Sequence, residues 1–173
     1  MMLFIRSETI ILFCNFLLEK DMPNSEIIKA MFSQAEDLNQ KVQEKFKEGN
    51  TDEFKRFVND AIVLYKEILN LDPNNAKALY FIGNKYYECD DFTASLSSYD
   101  KAIEILKGTN DEELSIDVRI NRTGTLCELK RYDESIVACD EILADYEKHT
   151  DFSDIEKACS WIKNNCADRK NKD

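Results

Sequence analysis

Residues Ala76 to Lys107 read AKALYFIGNKYYECDDFTASLSSYDKAIEILK, and their spacing decides the fold. Leu79, Ile82, Gly83 and Tyr86, then Phe92, Ser95, Tyr99 and Ala102, recur every three or four positions on either side of Cys89-Asp90-Asp91. That is the period of one apolar face of an α-helix, so the stretch predicts two short amphipathic helices joined by a tight turn. Gly83, Ser95 and Ala102 are small where two helices in close contact leave little room.

The same pattern extends on both sides. Upstream, Ile28, Met31, Phe32, Ala35, Leu38, Val42 and Phe46 form one stripe, with Asn24 or Ser25 as N-cap after Pro23. Gly49-Asn50 then makes a stop, and Thr51-Asp52-Glu53 opens a helix carrying Phe54, Phe57, Val58, Ala61, Leu64, Tyr65 and Ile68. This first hairpin, about 25–71, turns either near Arg56 or at Gly49-Asn50; the second fits better because nothing between Ser25 and Glu48 breaks a helix. Downstream, Gly108-Thr109-Asn110-Asp111 is a polar loop, and a further hairpin spans about 113–147 with Lys130 to Glu134 as its turn. A last helix, about 153–167, places Ile155, Ala158, Cys159, Ile162 and Cys166 on one face. Residues 169–173 read as a solvated polar tail.

Composition agrees with an all-α protein. Only 4 Gly and 2 Pro occur in 173 residues, and 33% charged residues are interleaved with 43% hydrophobic ones, as in stacked amphipathic helices. A formal net charge of -11 would repel nucleic-acid phosphates or an anionic membrane surface, so neither is the expected partner. Residues 1–21 are apolar but carry Arg6 and Glu8, and the run from Ile10 to Leu18 falls well short of the roughly 20 residues that span a bilayer. They are expected to be an extension, loose or an extra helix, with no stable membrane insertion.

Chemistry-bearing residues are sparse. Six cysteines (Cys14, Cys89, Cys127, Cys139, Cys159 and Cys166) form no CxxC pair, and His149 is the sole histidine. The cysteines are expected to be reduced, small and buried, with no metal and no cofactor. Neither a Gly-rich phosphate loop nor a GxSxG motif occurs, so no catalytic residue is assigned and the chain is not expected to be an enzyme.

In its Leu79, Gly83, Tyr86, Phe92, Ser95, Tyr99 and Ala102, the Ala76–Lys107 stretch resembles the tetratricopeptide repeat (TPR), a helical hairpin of roughly 34 residues. The likeness runs from about Val42 to Lys148. Ala61, Tyr65 and Ile68 fall in register one repeat earlier, although Lys45 and Asp52 stand where the family has large apolar residues. Tyr132, Ser135, Cys139 and Ile142 follow the pattern one repeat later. The resemblance implies a right-handed α-solenoid of about three hairpins plus a C-terminal capping helix, within residues 22–168. It implies a protein-interaction adaptor or scaffold in the cytoplasm, holding an extended peptide or amphipathic helix in a concave groove. Groove positions would be Lys77, Tyr80, Asn84 and Tyr87, then Ile120 and Asn121, then Lys157 and Trp161.

The Gly83-Asn84 and Ile120-Asn121-Arg122 segments further resemble the three-repeat TPR domains of chaperone co-factors, whose Lys, Asn and Arg residues clamp the terminal carboxylates of heat-shock chaperones. Asn84, Asn121 and Lys157 match clamp positions. Tyr80 and Trp161 stand where a clamp lysine and arginine belong, leaving Lys77, Lys85 or Arg119 to supply the lost cations. A chaperone-tail receptor is thus the alternative to a general peptide-binding module, and weak self-association through exposed hairpin ends is a further one.

Overall fold

The structure is a computed structural model and describes residues 22–172; the expectation for residues 1–21 lies outside the described residues. Among these the chain is all-helical, in the order α1 (Asn24–Lys47), α2 (Thr51–Leu71), α3 (Ala76–Glu88), α4 (Phe92–Leu106), α5 (Glu112–Glu128), α6 (Tyr132–Asp145) and α7 (Phe152–Lys170). It divides into two compact units, the first ending at Cys89 and the second beginning at Asp90.

In the first unit α1 packs along α2, and α2 against α3. Ile27, Met31, Ala35, Leu38 and Val42 are the buried positions of α1, spaced four, four, three and four residues apart, as one helix face requires. They meet Phe57, Val58, Ala61, Ile62, Leu64, Tyr65 and Ile68 of α2. Two expectations about α1 are corrected. Pro23 takes the cap position and its carbonyl accepts from the Glu26 and Ile27 amides, so Asn24 and Ser25 lie within the helix. Phe46 is 70% exposed, its ring centroid 5.9 Å from that of Phe54 on α2.

The turn between α1 and α2 lies at Glu48–Asn50. Gly49 adopts φ +69°, the Gly49 amide donates to the Phe46 carbonyl and the Asn50 amide to that of Lys45. These are the two bonds of a Schellman stop, whose left-handed residue glycine occupies without a Cβ penalty. Asn50 then caps α2: its side chain accepts from the Glu53 amide and donates to the Glu53 carboxylate. The side chains of Asn75, Asp91 and Asp111 cap α3, α4 and α5 by accepting from the Ala78, Ala94 and Leu114 amides, each such cap being worth about 1 kcal/mol.

In the second unit α4 packs on α5, α5 on α6 and α6 on α7, and α7 also returns to α5. Ile116, Cys127, Tyr132, Cys139, Ile142, Ile155, Cys159, Ile162 and Cys166 form its core. Ser135 is fully buried and its hydroxyl donates to the Thr123 carbonyl at 2.8 Å, which draws α6 onto α5. The turn before α6 is shorter than its polar composition suggests. Lys130, at φ 61°, closes a second Schellman stop with amide bonds from Lys130 to Cys127 and from Arg131 to Leu126, so Tyr132 to Glu134 already belong to α6. The C-terminal helix is longer than expected for the same kind of reason: Arg169 and Lys170 sit in its last turn and pair with Glu128 and Asp133. Among the described residues no helix is long and apolar enough to cross a membrane.

Candidate functional site

Of the residues expected to meet a partner, Lys77, Tyr80, Asn84 and Tyr87 belong to the first unit and Ile120, Asn121, Lys157 and Trp161 to the second. In the first unit, Lys77, Tyr80, Asn84 and Tyr87 share a face of α3. Lys77 is exposed, and its ammonium lies 5.4 Å from the Phe32 ring centroid and 6.0 Å from that of Phe81. Tyr80 is half-buried, its ring 5.3 Å from Phe81. Phe81 in turn stacks on Tyr65 at 5.3 Å and 13°, and Phe32 closes the group from α1. Lys77 and Tyr80 are thus brought together on an aromatic platform that joins all three helices. Phe32 belongs to the stripe expected of α1, whereas Phe81 is not among the expected packing or groove positions. Asn84 is half-buried and Tyr87 is 37% exposed.

Tyr65 and Lys85, two ionisable side chains of this unit, are buried. The Tyr65 hydroxyl accepts a 3.2 Å hydrogen bond from the Asn39 amide. Burial pushes its pKa up to about 12, with the Glu36 and Glu88 carboxylates adding to the shift and the Asn39 bond opposing it. Lys85 is 4% exposed and donates to both Glu88 carboxylate oxygens at 2.7 and 2.8 Å.

In the second unit, the exposed face of α7 carries Lys157 and Trp161, one turn apart. Lys157 pairs with Asp154 at 2.8 Å, and the contact raises the Lys157 pKa and lowers that of Asp154. Trp161 is 67% exposed. The opposite stripe of the helix, Ile155, Cys159, Ile162 and Cys166, is buried. Ile120 is half-buried against that core, away from the face that carries Trp161. Asn121 is half-buried, and its backbone carbonyl accepts from the Thr125 hydroxyl.

None of the cations considered as substitutes in a carboxylate clamp stands without an engagement. Lys77 lies over aromatic rings, Lys85 is buried on Glu88, and Arg119 pairs with Asp145 at 2.7 Å and lies over Tyr146. Arg119 and Arg122 also line a cavity of about 520 Å³ between α4, α5 and α6, together with Glu104 and Glu141. Arg122 is held there by Asp100 at 2.6 Å. Asp100, Glu104 and Glu141 are matched by Lys107, Arg119 and Arg122 among its lining residues, so its formal charges balance.

The cysteine expectation is corrected in part. Cys127 of α5 and Cys166 of α7 are paired as a disulfide, with Cα atoms 5.7 Å apart, while Cys139 and Cys159 are buried thiols. The Cys139 thiol is pushed up by its hydrogen bond with Cys159 and then by burial. Among the described residues no group of three or more His, Cys, Asp or Glu side chains is arranged to hold a metal ion. No protein-family model matches the chain, and no curated protein matches it.

Proposed function

We propose that the chain is a TPR-like α-solenoid protein acting as a cytoplasmic adaptor or scaffold, without catalysis, that binds a peptide or amphipathic helix of another protein. The observation that carries this reading is Trp161, 67% exposed on a helix whose Ile155 and Ile162 are buried and whose Phe152 is half-buried. Hiding an indole in its own core would have stabilised the chain by about 2 kcal/mol. Tryptophan left in solvent is the residue type most enriched among interface anchors. The exposed Lys77 and Tyr87 with half-buried Tyr80 make a second contact face on the first unit, and the net charge of -11 favours a guest with basic flanks.

The test is peptide selection from a displayed random library on the full chain, followed by calorimetry of the selected peptides. Apolar-aromatic peptides with basic flanks are expected. Trp161→Ala or Tyr80→Ala should weaken them by about 30-fold or more, as for a 2 kcal/mol anchor. Binders indifferent to both substitutions would refute the assignment.

A further inference from the structure

The second core is rich in sulfur, and its four cysteines tie the last helix to two different neighbours. Cys127, Cys139, Cys159 and Cys166 are all between 0% and 2% exposed. Cys166 of α7 meets Cys127 of α5, and the Cys139 thiol of α6 donates to the Cys159 carbonyl of α7 at 3.6 Å. A Cα separation of 5.7 Å lets a disulfide close without backbone movement. The open state is provided for as well. Cys166 Sγ lies 3.3 Å from Ser135 Oγ, whose own proton goes to the Thr123 carbonyl, so a reduced Cys166 thiol has an acceptor waiting.

We propose that Cys127 and Cys166 form a thiol–disulfide latch that governs whether α7 can lift from α5 and α6. Closing it needs a two-electron oxidant of the small-disulfide class, such as glutathione disulfide. The thiolate of one cysteine attacks that disulfide and releases one small thiol. The other cysteine then displaces the second small thiol from the mixed disulfide. Two protein thiols and one disulfide become one protein disulfide and two small thiols. Both sulfurs are buried, so oxidant and reductant reach them through local fraying of the end of α7 around Cys166, and exchange is slow. The remaining polar ties of α7, Lys163 to Asp140, Arg169 to Glu128 and Lys170 to Asp133, are surface ion pairs and individually weak. The covalent link adds to the burial of Ile155 and Ile162 and is the one of these restraints that depends on redox state. The latch stands independently of what the protein binds.

The full chain, equilibrated in glutathione buffers of graded ratio and trapped with N-ethylmaleimide, is mapped by mass spectrometry. Hydrogen exchange is measured on residues 152–170 of the same samples. An intramolecular Cys127–Cys166 cross-link is expected, with α7 amides exchanging at least about tenfold more slowly in the oxidised than in the reduced protein. Cys127→Ala and Cys166→Ala should each abolish that redox difference. The wild-type comparison needs no variant, so a substitution that fails to fold leaves the test intact. Absence of the cross-link at every ratio, or a cross-link that leaves α7 exchange unchanged, would overturn the latch.

Discussion

The Lys85–Glu88 pair separates two ways an ion pair contributes to stability. Lys85 is 4% exposed and Glu88 27%, and the ammonium bonds both carboxylate oxygens within 2.8 Å. If the pair behaved as an exposed helix-surface pair three residues apart, removing either charge would cost at most about 0.5 kcal/mol. A lysine this buried predicts asymmetry instead. Glu88→Gln leaves an ammonium in the interior with only a neutral amide to meet it, for which breaking a buried pair costs about 3–5 kcal/mol. Because glutamine keeps one acceptor and the site is not sealed, about 2–3 kcal/mol is expected. Lys85→Met keeps the aliphatic volume and deletes the charge, and Glu88 can turn to water, so its cost should stay below about 1 kcal/mol. The double variant should resemble Lys85→Met alone, giving a coupling of about 2 kcal/mol. Urea unfolding followed by circular dichroism reads all four proteins, the shift being taken from the transition that contains the first unit. Equal costs for the two single variants, or a Glu88→Gln loss below about 0.5 kcal/mol, would show that the burial argument is wrong.

Two further outcomes follow from backbone and proton placement. Lys130 occupies the left-handed position of its Schellman stop at φ 61°, so Lys130→Gly should stabilise by about 1 kcal/mol, whereas Gly49→Ala at φ +69° should destabilise by a similar amount; paired urea midpoints moving in the same direction would refute this. The Tyr65 pKa of about 12 lies above the unfolded value of about 10, so the folded state holds its proton more tightly; the resulting stability is complete below about pH 10 and is lost as pH climbs to about 12. Tyr65→Phe should flatten the slope in that window and remove from the phenolate absorbance one ionisation step near pH 12.

Which parts of the fold were legible follows from what kind of information each part needs. Helix existence is local: a stripe such as Met31, Ala35, Leu38 and Val42 is written within a few residues, although the expected stripe starts at Ile28 and the buried residue is Ile27, and the capping roles of Asn50, Asn75, Asp91 and Asp111 emerge only with the helix bounds. Periodicity sets only an angle about the axis, however, and says nothing about how far the neighbouring helix reaches. Phe46 keeps the angle of its stripe and is still exposed, because it lies in the last turn beside the Gly49 stop. The Lys-Arg-Tyr-Asp-Glu run reads as loop from polarity alone, yet Lys130 turns the chain within three residues and frees Tyr132 for the core. Pairings over long separations left no local trace: Arg169 finds Glu128 across 41 positions and Cys166 finds Cys127 across 39. For the site, the exposed candidates on α3 and α7 were readable from the helical repeat, whereas Phe81, between two residues already chosen as packing and groove positions, had no signal of its own.

The same side chains that close the second unit explain why α7 can both cover a core and present a face. Its inner stripe is built from Ile155, Cys159, Ile162 and Cys166, two of them cysteines, which are small enough to bring the helix close to Cys127, Ser135 and Cys139. Close approach by small residues buries less apolar area per residue than a leucine stripe would, by about 0.8 kcal/mol for each missing methylene. The deficit falls on α7, which packs on α5 and α6. A covalent tie and three surface ion pairs offset it there without adding bulk at the contact. The outer side is left free of any packing duty, and a tryptophan at that position neither strengthens the core nor disturbs it. Trp161→Ala should therefore move the melting temperature little, because an exposed side chain away from caps and cavities changes stability by no more than about 0.5 kcal/mol. Any larger loss would mean that the indole supports α7 itself, and the binding role argued for it would have to pass to the α3 face.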